Sequence, residues 1–313
     1  MSAGSFTANT TDGGTYSATF ILGERTYRVS GRFDGSGSTT KTIKRGAGMA
    51  AMNVQLQASG DQILGTIQAG SWTADIIANR QVPLTKSSGA AAQAGSYTVV
   101  IPPDTNSPGP AGFGFGTLKV DSLGNVRWAG TLADGTKVTQ KSSISKDGVW
   151  PLYNSVYSGG GPLIGWLQFG TNQPDSDLGG EVIWMKPKGV GGRNYFGGFT
   201  NFVWSGGSIY APPVRGSKAL NLSGGTGTLV FNGGGVSVTN TITMDGRNHV
   251  TSQGGPRLTF TLTPSTGLFR GTVNPTGGKA IPFQGALFQD TTNGFGFFLN
   301  QNHSGWIYLS PTP

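Results

Sequence analysis

The sequence predicts an all-β protein made of tandem antiparallel meander barrels or barrel-like sandwiches, and three observations predict it. Glycine supplies 54 and proline 17 of the 313 residues, and each glycine in a helix interior costs roughly 1 kcal/mol relative to alanine, so helices have little room to persist. Apolar and polar residues alternate at period two, the spacing of a half-buried strand. The alternating runs are bounded by Asp-Gly pairs at Asp12, Asp34, Asp134, Asp147 and Asp245 and by Asn-Gly pairs at Asn232 and Asn293. Such pairs tolerate the positive φ of two-residue hairpins and read as antiparallel turns. A coiled coil is excluded, since charged residues are only 12% and Glu24 and Glu181 are the two glutamates.

Along the chain, the first unit reads as strands from Phe6 to Phe20 and from Gly23 to Phe33, the last with an internal Gly31. A fainter copy runs from Val54-Gln-Leu56 through Leu64-Gly65-Thr-Ile67 to Trp72-Thr-Ala-Asp75-Ile76. The same order of strand, glycine turn, strand with an internal glycine, turn and strand returns at Leu118–Val138, around Gly130, and at Leu258–Gly285, around Gly271. A second element, Gly165-Trp166-Leu167-Gln168-Phe169, is echoed by Gly305-Trp306-Ile307-Tyr308-Leu309. Repetition on this scale predicts serial supersecondary units. Breaks at Pro83–Ala94 and Pro187–Gly198 divide the chain into 1–82, 95–186 and 199–313. A long meander must hide its edges, and closure into a barrel does so; an internal glycine suits a bent barrel strand or a close backbone approach. A β-propeller with blades of about fifty residues is the alternative.

The absence of cysteine removes disulfides, thiolate metal sites and cysteine nucleophiles. No stretch approaches the roughly 18 apolar residues of a membrane helix. The opening Met1-Ser-Ala-Gly-Ser-Phe6 has neither a basic nor an apolar leader region. A cytosolic chain and a piece of a longer exported protein both fit that opening; the Gly/Thr/Ser/Asn-rich strands favour the second.

The run Asp147-Gly-Val-Trp150-Pro-Leu-Tyr153, followed by Leu163-Ile-Gly165-Trp166-Leu167, resembles glycine-rich β-repeat regions near the C-termini of large secreted or cell-surface bacterial proteins. Tyr195-Phe-Gly-Gly-Phe199-Thr-Asn201 and Gly305-Trp306-Ile-Tyr308-Leu309 carry the same resemblance. It implies an extracellular or cell-surface location, neighbouring domains in a longer chain, and a role in attachment; no catalytic motif comes with it.

The search for chemistry yields few groups. A Ser-His-Asp triad needs a histidine, and both His249 and His303 sit in polar, hairpin-like settings. A Gly-x-Ser-x-Gly elbow, a His-x-x-x-His pair and a Walker loop are missing from the sequence. Most acids are turn residues, so a glycoside hydrolase would have to draw its two carboxylates from separate strands. Asp175, Asp177 and Glu181 form one local group of oxygen ligands around a glycine turn; Ca²⁺, which takes six to eight oxygens, is the cation they would suit, and a hydrophilic hairpin tip is the alternative. No other cofactor is implied.

Alternation sorts the aromatic residues. Trp128 shares a face with Val126 and Leu132, and Trp72 with Ala74 and Ile76, so both read as core. Leu167 and Phe169 make an apolar side that leaves Trp166 beside Gln168 on the other, and Ile307 and Leu309 similarly leave Trp306 with Tyr308. An outward indole offers a flat apolar face with a polar N–H, which suits stacking on a sugar; burial against a neighbouring module is the competing reading. The net charge of +8 includes Arg25, Arg28 and Arg32, candidates for a basic stripe toward anionic ligands, with plain solubilising charge as the alternative. Nucleic acid is not expected, because its reading motifs are missing. The sequence therefore predicts a binding or adhesion module for polysaccharide or surface glycan. A carbohydrate-active hydrolase and a structural spacer are the alternatives.

Overall fold

A computed structural model describes residues 3–81, 84–85, 87, 89–170, 176–191, 194–275 and 279–312. Among these, 23 strands and one 3-10 turn form, and every strand pair is antiparallel. The chain is all-β and builds barrel-like bodies one after another.

The first body holds β1 (Gly4–Thr10), β2 (Thr15–Leu22) and β3 (Arg25–Arg32) in one sheet and β4 (Ser38–Ile43), β5 (Met52–Ser59), β6 (Gln62–Ala69) and β7 (Trp72–Asn79) in another. The two sheets share one core, in which Tyr16, Phe20 and Phe33 meet Met52, Val54, Leu56 and Ile67. The second body holds β8 (Gly95–Ile101), β9 (Gly114–Val120), β10 (Asn125–Thr131), β11 (Lys137–Ser143), β12 (Val149–Val156), β13 (Gly161–Phe169), β14 (Leu178–Lys186) and β15 (Phe199–Ile209). Its last strand pairs with its first, so the eight strands form a nearly closed barrel with one seam between β11 and β12. Side chains bridge that seam: Gln140 donates to the Pro151 carbonyl at 2.8 Å and Asn154 to that of Thr139 at 2.6 Å. The third body holds β16 (Thr226–Gly233), β17 (Val236–Met244), β18 (Val250–Gly254), β19 (Arg257–Thr263), β20 (Leu268–Asn274), β21 (Ile281–Phe288), β22 (Asn293–Asn300) and β23 (His303–Pro311), and again its first and last strands pair. Sheets of eight consecutive strands replace the four-stranded blades that a propeller would require.

Two expectations are corrected. The strand at 199–209, placed by sequence in the third unit, completes the second sheet between β14 and β8. The glycine-rich and basic segment 187–198 connects two neighbouring strands of one barrel, β14 and β15, and composition alone cannot tell such a connection from a linker between domains. The Asp-Gly pairs are also not two-residue turns. Six turns share one five-residue frame, at 11–15, 34–38, 121–125, 132–136, 145–149 and 245–249. In each, the first N–H donates to the fifth carbonyl and the fourth N–H to the first carbonyl. The fourth residue (Gly14, Gly37, Gly124, Gly135, Gly148 or Asn248) takes φ between +63° and +90°. This is a type I turn closed by a left-handed residue. Asn293-Gly294 lies within β22. True two-residue loops fall at Gly23-Glu24, Gly60-Asp61, Gly70-Ser71, Gly234-Gly235 and Gln301-Asn302.

The three matched stretches become β1–β3, β9–β11 and β19–β21, each a three-stranded meander. They occupy different places in their barrels, so what repeats is the hairpin. Its internal glycines face inward and leave room for a ring. A Cβ on Gly130 would stand 2.6 Å from Trp128 Cζ2, and one on Gly116, opposite Gly130, would stand 2.5 Å from Trp128 Cη2. In the third barrel Phe283 lies over Gly271 and Phe269 over Gly285, a crossed pair across β20 and β21.

The second and third barrels join through apolar packing. Phe115 meets Phe297 with centroids 6.0 Å apart and Phe113 meets Phe295 at 5.1 Å. Buried Thr98 donates its hydroxyl to the Leu287 carbonyl at 2.7 Å.

Gly130→Ala is expected to destabilise the protein by roughly 1–3 kcal/mol through overpacking against Trp128. Ala129→Val, outward on the same strand, should change stability by less than about 0.5 kcal/mol; thermal melts of the two variants check this. Asp121 is held below the usual carboxylate range, chiefly by the Asn125 side-chain amide and then by the N–H groups of Asn125 and Leu123. Its folded pKa lies below its unfolded value, so the stability it adds is present above about pH 3.9 and is lost as pH falls through the folded value. Wild type and Asp121→Ala should therefore differ in melting temperature at pH 6 and converge in strong acid.

Candidate functional site

The outer face of β12–β15 carries the most exposed aromatic surface of the second barrel. Inward residues there are fixed by the core: Trp150 and Leu152 on β12, Leu163 and Leu167 on β13, Leu178 and Val182 on β14. Alternation then turns the intervening residues outward. The pairs Gly165–Val182 and Gln168–Gly179 set the register on either side of Trp166, which therefore faces Glu181. Pro151 pairs with Trp166 on its other side, and Glu181 pairs with Trp204. One lateral row thus reads Pro151, Trp166, Glu181, Trp204. The row beside it reads Tyr153, Ile164, Ile183, Phe202. Trp166 is 45% exposed, Trp204 49% and Phe202 55%.

The Trp204 indole lies over the backbone of Gly179, where a Cβ would stand 3.0 Å from its Nε1 and 3.3 Å from its Cε2. Glycine at 179 lets the ring lie low on the sheet with its other face toward solvent. Trp204 was not singled out by sequence, because the run Phe199-Thr-Asn201-Phe202-Val203-Trp204-Ser205 misleads by polarity. Asn201 and Ser205 point inward, 1% and 0% exposed, and the larger rings point outward. Register decides this: Val203 pairs with Val182 and Asn201 with Trp184, both core residues.

Trp166 also lines a cleft of about 890 Å³ between the first and second bodies. Its walls are β1 and the end of β7 on one side and β11 to β13 on the other, with amides and hydroxyls from Asn9, Asn79, Gln81, Gln140 and Ser142. The contacts that span it are polar. Gly23 N–H donates to the Tyr153 hydroxyl at 3.2 Å, and Ser143 donates to Gln81 at 2.9 Å. Asp61 pairs with Lys146 and, at 3.3 Å, with Arg80. The Lys146 hydrogen bond is the larger cause that holds the Asp61 carboxyl below its ordinary range, and Asp61 in turn raises the Lys146 ammonium. Asp34, also on the cleft wall, is lowered mainly by the Ser36 hydroxyl.

The other sequence candidates separate. Gln168 is exposed one step along β13 from Trp166 and donates to the Asp147 carbonyl at 2.8 Å. Trp306 and Tyr308 face outward from β23 as alternation requires, but both are half-buried. Tyr308 packs on Phe295 at 5.4 Å, and Phe295 carries Phe113 of the second barrel, so this pair borders the packed interface between barrels. Arg28 and Arg32 share the outer face of the first body, whereas Arg25 has the opposite parity and reaches Met49 Sδ at 3.2 Å. The three do not form one stripe, because Arg25 and Arg28 stand three positions apart on the strand, an odd offset that reverses the face. Asp175 lies outside the described residues. Asp177 accepts from the Ile209 N–H at 2.5 Å, while Glu181, four residues further along an extended chain, stands among the indoles. The two carboxylates are thus drawn apart, and among the described residues no group of three His, Cys, Asp or Glu is placed to hold a metal. Both histidines are exposed, His249 closing a turn and His303 opening β23 beside the Tyr195 ring.

No family model matches the chain, and no curated protein matches it. Solved structures similar to it include prolyl oligopeptidase B from Galerina marginata bound to a 35-residue hydrolysis and macrocyclisation substrate. That match has 8% identity over 90% of this chain and 48% of that one, with a TM-score of 0.14. The same enzyme with a 25-residue macrocyclisation substrate is 10% identical over 90% and 49%, with a TM-score of 0.12. The chain spans about half the length of these structures. Likeness at this level assigns neither fold nor function.

Gly179→Ala is expected to lift the Trp204 ring from the sheet, because the new methyl would stand in tighter contact than side chains ordinarily make. A nitrogen–proton correlation spectrum checks this. The Trp204 indole resonance should shift while those of core Trp128 and Trp150 stay in place.

Proposed function

We propose that this chain is a non-catalytic, exported binding module for carbohydrate, and that a glycan chain lies along the Trp204–Trp166 row and enters the polar cleft beside it. The observation that carries this reading is the pair of outward indoles in one register row, one of which also lines a cleft where amides and hydroxyls stand among apolar side chains. Sugar rings offer apolar C–H faces to aromatic platforms and hydroxyls to the polar groups around them, and both kinds of partner stand side by side here. The surface is largely preformed: it rests on strands whose opposite faces are locked in the core, so little ordering is needed on binding.

Binding fits two of the acids on the cleft wall, Asp34 and Asp61, better than hydrolysis does. A glycosidase needs one carboxyl held protonated as general acid, with its pKa raised. Asp34 and Asp61 are shifted the other way, by hydrogen bonds from their own turn and by two cations respectively. A spacer role would leave the exposed indoles without a purpose.

The test is retention on immobilised polysaccharides together with a reducing-end assay. Trp166→Ala and Trp204→Ala should each weaken retention by about tenfold, the worth of roughly 1.4 kcal/mol. The melting temperature should stay within about 3 °C. Retention unchanged in both variants overturns the reading, and release of reducing ends by the wild type replaces it with the hydrolase.

A further inference from the structure

We infer that the glycan this face prefers carries protonated amines: Glu181, standing between the indoles of Trp166 and Trp204, selects an amino-sugar chain over a neutral or anionic one. This inference rests on the glycan-binding reading and deepens it. The placement comes from the ladder. Glu181 is the β14 residue of the row, with Trp166 on β13 to one side and Trp204 on β15 to the other. Neighbouring strands lie about 4.8 Å apart, so the carboxylate rises from the middle of a gap of about 10 Å between the two ring-bearing strands.

The chemistry of the row has one sign. Glu181 is exposed, and among the described residues its carboxylate makes no ion pair and no hydrogen bond. The positions around it in the two rows are Pro151, Tyr153, Ile164, Ile183 and Phe202, with Gly179 one step along β14, and none of these can neutralise it. An indole face attracts a cation through its quadrupole, and this attraction adds to that of a carboxylate placed beside it. Two rings flanking an unpaired acid therefore offer a protonated amine a complementary field, while a uronate or sulfate would meet repulsion at contact range. The net charge of +8 does not reverse this, since charges beyond about 8 Å are screened at physiological ionic strength. The flat seat of Trp204 on Gly179 leaves its outer face free for the ring that bears the amine.

The experiment titrates the whole chain with three six-sugar oligomers of one linkage: glucosamine, its N-acetylated form, and glucose. The titration is run in mildly acidic buffer, where the free sugar amines carry a proton. Wild type should bind the glucosamine oligomer about fivefold or more tightly than the other two, and the margin should shrink as salt rises. Glu181→Gln should keep neutral-oligomer binding and lose the margin. Equal or tighter binding of the neutral oligomers by wild type overturns this inference and leaves the glycan reading standing; so does a margin that survives in Glu181→Gln. No binding of any oligomer or polysaccharide overturns both.

Discussion

The structure depends on one steric constraint: a barrel of eight short strands has a narrow lumen, and several of its rings fit because the facing backbone carries no side chain. Trp128 occupies the space above Gly116 and Gly130, and Phe283 and Phe269 lie over Gly271 and Gly285. Where a ring and a glycine alternate across two strands, the strands can bend and still leave little void. The high glycine content is therefore not only turn filler. Part of it sits inside strands, facing the core, as the partner of an aromatic residue.

That constraint also sets the outer faces. Once ring and glycine are locked inward, alternation turns every intervening side chain outward, whatever its polarity. On β15 this sends Phe202 and Trp204 to solvent and draws Asn201 and Ser205 inside. On β22 it turns Phe295 and Phe297 outward, and there the third barrel meets Phe113 and Phe115 of the second. The same rule thus produces a packed interface on one side of the second barrel and an exposed aromatic row on another. Between the first and second bodies the contacts are polar, through Asp61, Arg80, Lys146 and Tyr153, and a cleft stays open.

Much of this was legible in the sequence. Period-two alternation and glycine density gave the class, the hairpins and the core position of Trp128, and parity alone turned Trp166 and Gln168 outward. The turn chemistry was read less well. Asp-Gly suggested two-residue loops, yet in Asp34-Gly35-Ser36-Gly37 the later glycine takes the left-handed position and the aspartate caps the loop through the N–H groups of Ser36 and Ser38. A dipeptide records tolerance for a turn but not which of several nearby glycines will bear the strain.

By itself, then, the sequence determined which residues alternate, where the chain can reverse, and which side chains must share a face within one strand, because these follow from local geometry. Only the tertiary structure decided which strands are neighbours across a barrel, and with it that Trp166, Glu181 and Trp204 form one row while Trp306 and Tyr308 border an interface. The physical reason is that lateral order comes from ladder register and closure. Both are set by long-range pairing, and no local pattern of residues encodes them.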